Sequence, residues 1–149
     1  MRFTGTIEAK ADVKGRLFFP APFRKILQEN GEERLILKKD PSLPCLVLHP
    51  WSVWNSRMDE LRERLNHWDS NHRRLLRHFV ADAEELTLDK GGRILVPRRY
   101  LRAAAIGQEV VFLGMDDVIE LWPRTEGAEA FSADETSGRE LEELMKYGL

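Results

Sequence analysis

Hydrophobic and polar positions change rhythm several times along the 149-residue chain, and each change marks an element. Short apolar runs bounded by Gly, Pro or Asp recur around residues 17–19, 35–37, 46–48, 94–96, 110–113 and 119–122. Runs of that length with those flanks predict β-strands. A helical rhythm stands between them: Trp54, Met58, Leu61, Leu65 and Trp68 recur at intervals of 4, 3, 4 and 3, with Arg57, Glu60, Arg62, Glu63 and Arg64 on the opposite side. Ser70 is the expected cap of a second helix reaching about Val80, with Leu75, Leu76 and Phe79 as its apolar side. Together they predict a helical hairpin. Shorter helices are expected at residues 21–29, with Pro20 or Pro22 in the first turn and Gly31 past the end, and at residues 98–105, stopped at Ile106-Gly107. From Arg124 the chain turns polar, and Ser132-Ala133-Asp134-Glu135 before Leu141, Leu144 and Met145 predicts one modest amphipathic helix.

The strand-rich stretches are related to each other. Asp12-Val13-Lys14-Gly15-Arg16-Leu17-Phe18-Phe19-Pro20 aligns without gaps on Asp89-Lys90-Gly91-Gly92-Arg93-Ile94-Leu95-Val96-Pro97, at an offset of 77. Phe23, Ile26 and Leu27 then match Tyr100, Ala103 and Ala104, and the strands at 34–37 and 46–50 answer those at 110–113 and 119–123. The offset falls to 73, which places extra loop residues of the first copy at 41–45. Drift confined to loops is the mark of a true repeat. Each copy, at 5–52 and 81–124, is too small to bury a core alone. The two are expected to pack face to face as one pseudo-two-fold barrel of α+β, β-rich class, linked by the hairpin at 53–80 and followed by a tail at 125–149.

Charge sharpens this picture. The net charge is −2, but residues 103–149 hold 3 Lys/Arg against 11 Asp/Glu, leaving 20 against 14 in residues 1–102. A basic body therefore carries an acidic tail, which is either a solvated surface or a device that moderates binding to polyanions. No apolar run is long enough to span a membrane, no signal-peptide pattern is visible, and a single cysteine, Cys45, cannot pair internally. The expectation is a soluble cytoplasmic protein with no membrane insertion.

Within the repeat, the Asp-x-x-Gly-Arg element carries the most information. The glycine supplies a backbone conformation other residues avoid, and the carboxylate accepts turn amides. Asp12, Gly15, Pro20, Asp89, Gly92 and Pro97 are accordingly read as turn-structuring. The turn itself requires no guanidinium, so Arg16 and Arg93 are read as facing a ligand. Lys10, Lys14, Arg24 and Lys25 lie near the first, and Lys90, Arg98, Arg99 and Arg102 near the second. If the pseudo-dyad sets both turns on one face, they form a basic ridge for phosphates, with an arginine able to reach guanine in the major groove. Enzyme motifs are missing: there is no P-loop, G-x-S-x-G, H-E-x-x-H or G-x-G-x-x-G. His49, His67, His72 and His78 lack a one-face metal spacing, and the last three are read as solvated. Glu84-Glu85 and Asp116-Asp117 are adjacent and expected to diverge along strands. No catalytic residue, metal or cofactor is expected.

The doubled Asp12-x-x-Gly15-Arg16…Pro20 and Asp89-x-x-Gly92-Arg93…Pro97, joined by a helical hairpin, resembles the MraZ family, bacterial regulators with two SpoVT/AbrB-like repeats. The resemblance covers residues 1–124. It implies a swapped-hairpin AbrB-type barrel, assembly into a homo-oligomeric ring, and association with the nucleoid. It also implies transcription regulation through short direct repeats upstream of the division and cell-wall gene cluster. The family's DNA-binding Asp…Arg positions fall on Asp12, Arg16, Asp89 and Arg93. Gly91 stands where Lys14 stands in the first copy, a departure that bears on the second copy's contribution to binding. Two other classes stay open: an AbrB-like antitoxin or protein-interaction scaffold, and an enzyme whose site has no recognisable motif.

Overall fold

The computed structural model describes residues 1–124, 131 and 134–148. In chain order they form β1 (Thr6–Lys10), β2 (Arg16–Phe18), α1 (Ala21–Glu29), β3 (Arg34–Lys39), β4 (Leu46–Pro50), α2 (Trp51–Arg64) and α3 (Ser70–Ala81). There follow β5 (Glu84–Thr87), β6 (Arg93–Leu95), α4 (Arg98–Ala103), β7 (Glu109–Met115), β8 (Val118–Pro123) and α5 (Glu135–Glu143), which runs into a π-helical turn at Leu144–Gly148. The class is α+β with antiparallel sheets.

Six strands form one sheet in the order β1-β7-β8-β4-β3-β5, and β2 and β6 pair separately. β1 pairs with β7, placing Ile7 opposite Phe112, while β5 pairs with β3, placing Leu86 opposite Leu35. The first strand is thus hydrogen-bonded into the later half of the chain, and the fifth into the earlier half. Among the described residues the closed barrel expected from the repeat is not seen: β1 and β5 remain edges, and the three-residue β2 and β6 pair with each other.

Strand periodicity assigns the two faces of the large sheet. Leu35, Leu37, Leu46, Leu48, Val110, Phe112, Ile119 and Leu121 share one face, at or near zero exposure. Onto it pack Leu17 and Phe19 from the β2 segment, Ile94 and Val96 from the β6 segment, Phe23 and Leu27 of α1, and Tyr100 of α4. Phe3 closes the core edge-on to Phe23, and Phe19 meets Phe112 in the same way. The opposite face carries Ile36, Lys38 and His49, and there the α2–α3 hairpin lies. Trp54 stacks on Phe79 at 5.3 Å and touches the His49 ring edge-on, while Lys38 sits over Phe79. The β2–β6 ribbon and the helical hairpin therefore occupy opposite sides of the sheet.

Several local expectations are revised. α2 ends at Arg64, and the extended backbone of Leu65 leaves Trp68 outside the helix and 97% exposed. Asp69, not Ser70, caps α3, accepting from the amides of Asn71 and His72. His72 is not simply solvated: its Nδ1 accepts from the Asn66 amide and closes the hairpin loop. α4 is closed by Ala105 in the left-handed region, with φ 56°, rather than by Gly107. Asp116-Asp117 is the β7–β8 turn, its carboxylates paired with Arg2 and Arg57. α5 begins at an Asp134 cap, and its Leu141, with Leu144 and Met145 of the following turn, is exposed. The expected contributions of Ser132 and Ala133 lie outside the described residues.

Candidate nucleic-acid interface

Each Asp-x-x-Gly-Arg element folds as the same hydrogen-bonded turn. Asp12 Oδ1 accepts from the amides of Lys14 and Arg16, both at 2.9 Å, and the Gly15 amide donates to the Asp12 carbonyl at 3.0 Å. Asp89 Oδ1 accepts from Gly91 at 2.8 Å and Arg93 at 2.9 Å, and Gly92 donates to the Asp89 carbonyl at 3.0 Å. Gly15 has φ 86° and Gly92 has φ 78°, the region that favours glycine. The amide of Arg16 is the main cause holding the Asp12 carboxyl below the usual range, and the amide of Arg93 does the same for Asp89. Both carboxylates are therefore charged at neutral pH.

The guanidinium groups take part in these turns, contrary to the expectation that the turn needs none. Arg16 Nε donates to Asp12 Oδ2 at 2.6 Å, and Arg93 Nε donates to Asp89 Oδ2 at 3.0 Å. A carboxylate on Nε fixes the plane of the fork. Among the described residues the Nη nitrogens of both arginines have no hydrogen-bond partner. Each arginine thus presents its outer edge already oriented, which lowers the ordering cost of a bidentate contact.

The ribbon decides where those edges lie. β2 and β6 run antiparallel with Arg16 opposite Leu95, Leu17 opposite Ile94 and Phe18 opposite Arg93. Paired residues share a face and neighbours alternate, so Leu17 and Ile94 point into the core while Arg16, Phe18, Arg93 and Leu95 all point out. The local dyad passes through the Leu17–Ile94 pair. Two reciprocal bonds lock it: the Phe19 amide donates to the Gly92 carbonyl and the Val96 amide to the Gly15 carbonyl, both at 2.9 Å. Pro20 and Pro97 follow at once as the residues preceding α1 and α4, where a missing N–H costs nothing.

Other expected site residues divide. Lys14 and Lys90 are exposed on the turns, without an ion-pair partner among the described residues. Arg98 reaches across to donate to the Val13 carbonyl at 3.0 Å, clamping the first turn from the second half of the chain. Arg24 lies against Gly92 and donates weakly to the Phe19 carbonyl at 3.5 Å, so its role includes packing. Lys10 ends β1 opposite Glu109, at the sheet edge. Arg99 is not gathered with the turns: it donates to Glu84 at 2.8 Å and borders a cavity of about 440 Å³ with Lys39, His78 and Asp82. The side-chain direction of a six-residue helix set that difference. Sequence reasoning overlooked Phe18, Leu95 and Val13, which are 65%, 53% and 75% exposed around the ribbon. Their signal was the strand parity itself, since a buried Leu17 requires an outward Phe18.

Among the described residues no three His, Cys, Asp or Glu side chains come together as a metal-binding group, and no helix is long and apolar enough to cross a membrane.

Comparison with known proteins identifies the family. The family model described as "MraZ protein, putative antitoxin-like" matches residues 79–144. A Transcriptional regulator MraZ of Phocaeicola vulgatus is 52% identical over 97% of this chain and 94% of its own length. The Bacteroides fragilis protein of that name is 49% identical over 98% of this chain and 92% of its own. That of Anaeromyxobacter dehalogenans is 36% identical over 89% and 91%. These relatives are named as regulators, not enzymes.

Proposed function

The chain belongs to the MraZ family, and from that membership we propose that it is a sequence-specific, DNA-binding transcriptional regulator and not an enzyme. One observation carries the reading: both Asp-oriented arginines, Arg16 and Arg93, stand on the same outward face of a two-stranded ribbon. An antiparallel β-ribbon fits the major groove, and a fixed arginine fork matches guanine O6 and N7. Lys14, Lys90, Arg98 and, more weakly, Lys10 and Arg24 supply phosphate attraction around it.

In this reading residues 5–52 and 81–124 are two AbrB-like repeats that exchange strands through the β1–β7 and β5–β3 pairings. Residues 53–80 link them, and 125–149 form an acidic tail. A single subunit with few phosphate contacts binds weakly, so the protein acts as a homo-oligomeric ring on short direct repeats upstream of the division and cell-wall gene cluster, in the nucleoid of the cytoplasm. Neighbouring subunits then gain by effective concentration. The antitoxin-like wording of the family description favours the second reading, an antitoxin or protein scaffold.

Fluorescence-anisotropy titration against the protein's own upstream duplex and a scrambled control, at two salt concentrations, separates them. Tight, salt-sensitive binding that prefers the native duplex supports the regulator. Weak binding indifferent to sequence favours the scaffold.

A further inference from the structure

The four outward residues of the ribbon form a two-by-two array in which each arginine is paired with an apolar side chain. Arg16 faces Leu95 across the strands, Phe18 faces Arg93, and the arginines occupy one diagonal while Phe18 and Leu95 occupy the other. The Arg93 guanidinium lies 5.9 Å from the Phe18 ring centroid, so cation and apolar surface form one continuous patch. Neither apolar side chain serves the core, which Leu17 and Ile94 already fill from the inner face. Large exposed apolar residues placed among cations on a rigid two-fold ribbon call for a partner with apolar spots on an anionic surface. Major-groove DNA has that composition: phosphates flank it, and the thymine C5-methyl is the apolar group among its base edges.

We propose that Phe18 and Leu95 read thymine methyl groups beside the bases contacted by Arg93 and Arg16. The inference rests on the DNA-binding reading above and adds a specificity role to residues that reading leaves idle. Two residues apart on a strand is about 6.7 Å, close to the rise of two base-pair steps, so a cation and its strand neighbour address nearby bases in the groove. The dyad repeats the arrangement, and the preferred element carries two thymine contacts related by local symmetry.

The test uses the full chain and a duplex enriched from a random pool by the wild-type protein, made with thymine and, separately, with deoxyuridine throughout. Uracil keeps the base pairing and removes only the methyl. Wild type is expected to bind the uracil duplex about fourfold more weakly per contacted methyl. Phe18→Ala/Leu95→Ala is expected to bind both duplexes equally while keeping the wild-type salt dependence. Equal wild-type affinity for the two duplexes overturns the proposal, with salt-dependent binding intact and the DNA reading unharmed. A double variant that retains the thymine preference but loses oligomeric mass also overturns it, assigning the face to a second copy of the chain. Failure of wild type to enrich any duplex removes the DNA reading and this inference together.

Discussion

Gly15 and Gly92 are equivalent by repeat, yet alanine at the two positions should have unequal costs. Both sit at positive φ, where an L-residue loses about 1–2 kcal/mol. A Cβ on Gly15 would stand 2.5 Å from the Val96 carbonyl oxygen, a backbone atom held by the bond between the Val96 amide and Gly15 itself. Relief requires the ribbon to shift, which adds roughly 1–3 kcal/mol as an overpacking cost. On Gly92 the Cβ meets the end of the Arg24 side chain, which can swing away at the loss of one weak bond. Gly31, at φ 65° with nothing within 4 Å, isolates the backbone cost alone. Expected losses are therefore about 3 kcal/mol for Gly15→Ala and about 1–2 kcal/mol for Gly92→Ala and Gly31→Ala. Urea denaturation at one fixed protein concentration measures them. Equal midpoints for Gly15→Ala and Gly31→Ala would refute the close approach of the first turn to the β6 end.

Three further outcomes are expected. Lys14→Ala and Lys90→Ala each reduce the slope of log affinity against log salt by about one, whereas Arg99→Ala, engaged with Glu84, leaves slope and affinity unchanged in the same titration. Trp54→Ala removes the stack on Phe79 and the His49 contact and costs about 3–5 kcal/mol by chemical denaturation, while Trp68→Ala stays within about 0.5 kcal/mol of wild type. Burial pushes the His49 imidazole down to about 4, against the opposing effect of the Ile36 carbonyl on Nδ1, so the folded state favours the neutral ring. Its contribution is complete above the unfolded value of about 6.5 and is lost as pH falls through the folded value. Stability measured from pH 7 to 4 should fall by ~3 kcal/mol more in wild type than in His49→Gln.

The turns were legible in the sequence because their chemistry is local. A carboxylate two to four residues from the amides it accepts, with glycine at the left-handed position, fixes Asp12–Arg16 and Asp89–Arg93 without reference to the rest of the chain. α1 and the strands were legible from apolar spacing for the same reason. The pairings of β1 with β7 and of β5 with β3 were not legible in apolar spacing, because register between distant strands depends on the whole core. Among the described residues the expected barrel is left open, because the short β2 and β6 pair with each other and not with the sheet edges. Trp68 fits the helical spacing, but the chain leaves the helix at Leu65, a choice made by the hairpin loop that His72 and Asn66 close. Arg98 and Arg99 are adjacent and chemically alike, and only the azimuth of α4 sends one to Val13 and the other to Glu84.

In the proposed function Arg16 and Arg93 act as a symmetric pair whose exposed edges read DNA while their Nε atoms stay on Asp12 and Asp89. Anisotropy titration of Arg16→Ala, Arg93→Ala and the double variant against the wild-type duplex, with oligomeric mass and denaturation midpoint followed in parallel, tests it most directly. Each single variant should lose roughly 1–3 kcal/mol of specific binding and the double variant nearly all discrimination against a scrambled duplex, with mass unchanged and only a small fall in stability. Unchanged discrimination in the double variant, or loss of assembly in place of affinity, would contradict the account.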